Sequence, residues 1–255
     1  MTLNKMTRDE LASYLAQTLS VDQYQDYCPN GLQVEGRDHI GVVISGVTAS
    51  EALIDAAIAH GADALLVHHG YFWKGERASI VGMKQRRLKK LLENNINLFA
   101  YHLPLDGHAE LGNNVQLARQ LDLQGVPAFG HSNLGYLGKS VNPAVRTVGE
   151  LVALIEQRLH RQPLVIGDPN QLLGQIGWCT GGAQSMIEEA SAAGATVYIS
   201  GEISEPTVHF ARENGMAYIS AGHHATERYG VQALGAHLAE RFGLQHTFVD
   251  IDNPV

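Results

Sequence analysis

The stretch TASEALIDAAIAHGADALLVHH, residues 48–69, reads as a helix that hands over to a buried strand ending on two histidines. Residues 50–60 carry the helical pattern, with Gly61 placed to stop it. Ala64-Leu65-Leu66-Val67 is a short apolar run of strand length, and His68-His69-Gly70 follows it directly. The segment GGAQSMIEEASAAGATVYISGE, residues 181–202, can be laid on it at a constant offset of 133. Further on, NLFAYHLPLD in the first half matches MAYISAGHHATE in the second at an offset of 121, which sets His102 on His223 and Asp106 on Glu227. The offset changes because the loop after His69 is 12 residues longer than its counterpart after Glu202. The pattern predicts an internal duplication.

The flanking sequence extends the alternation. Thr7-Arg8-Asp9-Glu10 has the form of a capping box, followed by Leu11, Leu15 and Leu19 on one helical face. Ile40–Ile44 reads as a strand, 83–94 as a basic amphipathic helix, Ile96–Tyr101 as a strand and 113–121 as a helix. Residues 125–146 are rich in Gly and Pro and read as a crossing segment; Thr147 then caps a helix over 148–160, and LVIGDPN reads as strand and turn. The expected fold is α/β: two similar α/β sandwich halves with a metal site between them. The halves run over 1–124 and 147–255, joined by the crossing at 125–146, with the C-terminal helix free to pack back on the first half. In such sheets ligands collect beyond the C-terminal ends of the strands, where His68-His69 and His102–Asp106 both fall.

Composition narrows the function classes. Of 255 residues 45% are hydrophobic and 17% charged, which suits a packed globular chain. The 18 basic and 26 acidic residues give a net charge of −8, which argues against broad nucleic-acid binding. The dense basic run Lys84, Arg86, Arg87, Lys89, Lys90 reads first as a solvated helix face. Two distant cysteines, Cys28 and Cys179, exclude a disulfide framework and a zinc knuckle and point to a reducing, cytoplasmic setting. The N-terminus lacks a signal-peptide core, and no run of 18 apolar residues is present, so neither secretion nor a membrane partner is expected.

Thirteen histidines are the unusual feature. His68 and His69 sit where a strand ends, so both imidazoles can face one centre or bridge two. In HLPLD, residues 102–106, Pro104 predicts a rigid extended loop that presents Asp106 as a hard oxygen ligand. In GHHATERYG, residues 222–230, His223 and Glu227 are four apart and converge on one helical face. A helix could begin there at Ala225 or Thr226. Together these groups offer five or six nitrogen and oxygen ligands and no sulfur. That inventory fits a carboxylate-bridged pair of divalent transition metals. Glu202 lies opposite His69 in the alignment and can orient a ligand or move a proton. His209 is a weaker candidate for the same neighbourhood, and the orientation of His224 stays open. Tyr71-Phe72-Trp73-Lys74-Gly75 follows the histidine pair and reads equally as a base-stacking wall or as packing under the loop.

PNGLQVEG (29–36), GVTAS (46–50), VHHGYFWKG (67–75), HLPLD (102–106), GNN (112–114), CTGG (179–182), SGE (200–202) and AGHHATERYG (221–230) together resemble the Nif-three-like family, whose bacterial members are often named GTP cyclohydrolase I type 2 homologues. The resemblance runs from about residue 25 to the C-terminus. It implies two similar α/β halves, a dinuclear metal centre and assembly into a toroidal homohexamer. The ligands it carries over are His68, His69, Asp106, His223 and Glu227, with His102 near the metals. Some longer members insert a domain between the halves, and this chain is too short to hold it.

The leading expectation is a metal-dependent hydrolase with two divalent cations per chain (Zn, Fe, Mn or Ni). Its substrate would be a small nucleotide-like or heterocyclic molecule, with Glu202 or His102 moving protons. For ring opening of a GTP-type substrate, hydroxide would attack the imidazole carbon of the purine. A metal-binding assembly or regulatory protein without catalysis is the alternative. A nucleic-acid-handling ring is a third reading, disfavoured by the charge.

Overall fold

The computed structural model describes residues 5–255. In chain order the elements are β1 (Met6–Thr7), α1 (Arg8–Thr18), β2 (Gly31–Val34), β3 (His39–Ile40), β4 (Val42–Thr48), α2 (Glu51–Ala59), β5 (Ala64–His69), α3 (Gly82–Glu93), β6 (Asn97–Ala100), α4 (Leu103–Gly107) and α5 (Asn113–Gln120). They continue with β7 (Leu123–Phe129), β8 (Gly135–Ser140), α6 (Val148–Leu159), β9 (Leu164–Ile166), β10 (Gln175–Trp178), α7 (Ile187–Ala192), β11 (Ala195–Ser200), α8 (Glu205–Glu213), β12 (Ala217–Ser220), α9 (His223–Phe242) and β13 (Gln245–Phe248). The chain divides into two compact units. One holds the described residues through Leu111 together with Gly230–Asp252; the other holds Gly112–Tyr229 and Asn253–Val255.

The first unit is built on a five-stranded sheet in the order β13-β4-β5-β6-β2. Strands β13, β4, β5 and β6 are parallel, and β2 closes the β6 edge antiparallel. Parallel strands joined by helices are covered on both faces, which is why their sequences read as continuous apolar runs. The two faces separate cleanly by residue parity. Ile44, Leu65, Val67 and Leu98 pack with Leu53, Ile54, Ala57 and Leu91 of α2 and α3. Val43, Ala64, Leu66 and Phe99 pack with Leu11 and Leu15 of α1 and with Val231, Leu234 and Leu238 of α9.

The second unit has a six-stranded sheet in the order β7-β8-β10-β11-β12-β9, with β10, β11 and β12 parallel and β8 and β9 antiparallel to their neighbours. Its core joins Leu117, Leu151, Ile155 and Leu159 of α5 and α6 to Trp178, Ile199 and Ile219 of the sheet. The crossing expected at 125–146 is replaced here by the antiparallel pair β7–β8, which belongs to this sheet. Its signal is weak in the sequence because Gly125 faces Gly138 in the ladder and β7 is largely exposed, so apolar alternation is missing.

The two units repeat one plan. A helix (α1 or α6) leads into an antiparallel flanking strand (β2 or β9), then into a β-α-β-α-β run (β4 to β6, or β10 to β12). Both leading helices open with a complete capping box, Thr7 with Glu10 and Thr147 with Glu150, at an offset of 140 that residues 48–69 and 181–202 do not share. Among the described residues no helix is long and apolar enough to cross a membrane.

One buried polar clamp fastens the start of β4 to β6. The Asp63 carboxylate accepts the amides of Gly41 at 2.7 Å and Val42 at 2.9 Å, and Arg37 Nη1 reaches it at 2.8 Å. Asn97, fully buried, accepts Gly36 N and donates to the carbonyls of Arg37 and Asp63. Removing the carboxylate leaves two amides without an acceptor, whereas the Arg37 side chain is 44% exposed. Asp63→Ala is therefore expected to destabilise the fold by about 3 kcal/mol. Arg37→Ala is expected to cost under about 1 kcal/mol. Urea unfolding of both variants checks the difference.

Candidate metal centre

Strand β5 carries His68 and His69 as its last two residues, and the pairing of Thr48 with His69 is the last rung of the β4–β5 ladder. His68 is fully buried, with Nδ1 2.9 Å from the Tyr101 carbonyl. A carbonyl only accepts, so Nδ1 bears a hydrogen. Nε2 lies 3.5 Å from Oδ1 of Asp106, itself buried. His69 Nδ1 is 3.2 Å from Thr48 Oγ1, and its ring centroid is 4.6 Å from that of His68. His68, His69 and His102 each offer a ring nitrogen within 4.8 Å of the others, enough to hold a metal ion.

Asp106 is not in an extended loop. Residues 103–107 form the short helix α4, with Leu105 N and Asp106 N both donating to the His102 carbonyl, at 2.8 and 3.1 Å. Proline is tolerated in a first helical turn because the N–H it lacks has no intrahelical partner there. This turn brings Asp106 back toward His68.

His102 is held by a residue that sequence reasoning missed. Asp26 Oδ1 lies 2.7 Å from His102 Nδ1, and Oδ2 accepts Leu103 N at 2.9 Å and Asn30 Nδ2 at 2.8 Å. Burial opposes the charged carboxylate, but the bonds from His102 and Asn30 outweigh it and hold Asp26 at about 2. The Asp-x-x-x-Asn spacing just ahead of a Gly turn was the available signal. Cys28 lies beside this pair, and Asp26, Cys28 and His102 each offer an atom within 4.8 Å of the others; burial, reinforced by Asp26, pushes the free thiol up to about 12, which disfavours it as a nucleophile.

In the second unit, α9 begins at His223 itself, two or three residues earlier than expected, because Gly222 takes a positive φ of 103° and turns the chain straight out of β12 into the helix. Glu227 follows one turn later, with Oε2 3.1 Å from His223 Nε2. His223 Nδ1 lies 2.7 Å from Glu202 Oε1, whose second oxygen accepts from Gln184 Nε2 at 3.2 Å. Burial works against a charged ring here, yet Glu227 and Glu202 outweigh it and raise His223 to about 9. Glu227 is only 3% exposed.

The CTGG loop makes room for that carboxylate. Gly181 has φ of +68°, and a Cβ on it would stand 2.0 Å from Glu227 Oε1. Its amide donates to Thr226 Oγ1 and its carbonyl accepts Ser200 Oγ, while Thr180 N donates to Asn114 Oδ1 at 3.0 Å. These contacts explain GNN, CTGG and the Ser of SGE. His224 is 9% exposed, and its amide donates to Val255 O. His209 stands outside this cluster, largely exposed on α8 and 3.9 Å from Glu205.

The donor sets suit divalent metal ions. In each unit a histidine has Nδ1 bound to an oxygen and Nε2 turned toward a buried carboxylate. That arrangement fixes the ring and sets its second nitrogen beside a carboxylate oxygen, the pair of donors a cation would take. The atoms are imidazole nitrogen and carboxylate oxygen throughout, which fits Zn, Fe, Mn or Ni and selects none of them.

Comparison with known proteins agrees with the fold. The family model described as Duf34/NIF3 (NGG1p interacting factor 3) matches residues 6–254. A Pseudomonas aeruginosa protein named GTP cyclohydrolase 1 type 2 homolog is 55% identical over 242 residues, covering 92% of this chain and 94% of its own. A solved structure described as protein ybgI, of unknown function, superposes with a TM-score of 0.93 at 48% identity, covering 98% of this chain and all of that one. The protein TTHA1606 from Thermus thermophilus superposes at 0.85 with 35% identity, again over 98% and 100% of the two chains. The chain belongs to the NIF3 family.

Proposed function

We propose that His68, His69, Asp106, His223 and Glu227 hold two divalent metal ions, and that the protein is a hydrolase acting on a nucleotide-like or heterocyclic small molecule. The observation that carries this reading is the paired geometry in the two units: a histidine locked through Nδ1, with Nε2 aimed at a buried carboxylate, in each. The names of the relatives, GTP cyclohydrolase 1 type 2 homolog, support the substrate class.

When bound, such a metal pair lowers the pKa of coordinated water and so supplies hydroxide near neutral pH. The chain's own groups do the rest. Thr48 and the Tyr101 carbonyl fix the rings of His69 and His68. Asp26 fixes His102 through Nδ1, leaving Nε2 to take or return a proton beside the histidine pair. Glu202 acts first as a positioning residue for His223, and its Gln184-bonded oxygen completes that support. In this reading the chain works in the cytoplasm as a homohexameric ring, and light scattering on the purified protein should give about six times the 27.6 kDa chain.

Metal counting by mass spectrometry, on protein purified without chelators, should give two ions per chain, with most of that metal lost in Asp106→Ala. Absence of stoichiometric metal even after reloading would leave the histidine cluster structural and favour an assembly or regulatory role.

Gly181→Ala should lose metal as severely as Glu227→Ala while keeping the fold by circular dichroism, because its methyl displaces the Glu227 oxygen. Glu202→Gln should weaken metal retention about 10- to 100-fold, as loss of a partner behind a ligand histidine typically does. His102→Ala should retain both ions and slow turnover by about 100-fold or more. A metal count that falls with His102 would make it a ligand instead.

A further inference from the structure

We propose that Trp73 is a stacking platform for a planar heteroaromatic ring at the candidate centre, a positioning role that rests on the hydrolase reading above. Its indole centroid lies 5.0 Å from that of His102, edge to face, and 5.9 Å from that of His69. The one hydrogen-bond donor of the indole, Nε1–H, is already committed to the Gly70 carbonyl at 3.2 Å. What the half-buried ring has left to offer a ligand is π surface, which favours flat aromatic molecules over acids.

The loop that presents it is held in an unfavourable conformation. Phe72, a bulky residue, has φ of +66°, which such side chains rarely adopt. Glu76 compensates by accepting the amides of both Phe72 and Trp73, at 2.8 and 3.1 Å. Lys84 locks Glu76 at 3.2 Å and stands 5.0 Å over the Phe72 ring. Strain that the surroundings over-determine, placed beside candidate ligands, is the signature of a built binding surface. The loop also occupies the insertion that the second half lacks.

The test is ligand binding to the metal-loaded full chain, followed by calorimetry and by tryptophan fluorescence. The only other tryptophan, Trp178, is fully buried with its Nε1 bound to the Asn114 carbonyl, so quenching by a small ligand reports on Trp73. Guanosine is the probe, and ribose 5-phosphate is the control without an aromatic ring. Guanosine should quench and the control should not. Trp73→Leu should weaken guanosine about tenfold or more, the loss typical of one base–aromatic stack. Trp73→Phe should stay within about threefold of the parent, because a flat ring remains. Both variants should keep the parent's metal count, which serves as the check on folding.

Equal guanosine affinity in the parent and Trp73→Leu, or no guanosine binding by a parent that holds two metals, would overturn the platform and leave the metal centre standing. Binding that responds only to a single-stranded oligonucleotide would overturn it as well. Quenching in a chain that holds no stoichiometric metal even after reloading would support the platform and sink the hydrolase reading, so the two failures are distinguishable.

Discussion

Two carboxylates kept out of water set the terms for the rest of this structure. Asp106 is 7% exposed and Glu227 only 3%. A buried carboxylate is costly unless positive charge or strong donors compensate it. Each faces a histidine Nε2, and each of those histidines is braced from behind, His68 by the Tyr101 carbonyl and His223 by Glu202. For His68 the brace sets Nε2 3.5 Å from the Asp106 oxygen, so nitrogen and oxygen stand side by side as a cation would need them. For His223 the two carboxylates favour the charged ring and outweigh the burial that opposes it.

The duplicated plan explains why these features recur. A β-α-β-α-β run places the ends of its parallel strands along one edge, and whatever follows those strands is gathered there. His68 and His69 end β5, while His102 comes two residues after the end of β6. Ser200 ends β11, Glu202 comes two residues later, and His223 opens the helix after β12. The scaffold therefore repeats positions and leaves chemistry to the loops. The repeat is also imperfect where it matters: Glu202 stands where the first half has His69, and the first half's Asp106 answers to Glu227.

Much of this was legible from residues alone, and the parts that were not share a cause. The strands of both parallel runs are written as unbroken apolar segments, and the two leading helices announce themselves by Thr-x-x-Glu boxes. The His68-His69 pair marks a strand end. Helix α4 was hidden because Pro104 argues against helix everywhere except the first turn, and a helix of five residues is little else than a first turn. Strands β7 and β8 were hidden because facing glycines erase the alternation. Asp26 and Gln184 were hidden for a different reason. They act on His102 and Glu202 across long stretches of chain, and only packing reveals a partner 76 residues away.

Symmetry by itself is a poor basis for handling a substrate. A scaffold made of two similar halves presents similar donors from each, whereas a small molecule with one reacting atom must be held in one orientation. The asymmetry has to come from what was not duplicated, and the largest such segment near the candidate ligands is the 12-residue excess after His69. It carries Tyr71, Phe72 and Trp73. Tyr71 is buried and donates to the Ala49 carbonyl, which ties the loop to the sheet. Phe72 takes the strained backbone conformation, and the half-buried Trp73 ring lies beside His102 and His69. The equivalent point in the second half is a short Gly201-Glu202 turn whose only bulky group supports His223. The paired histidine and carboxylate are thus what the halves share, and the aromatic loop is what distinguishes them.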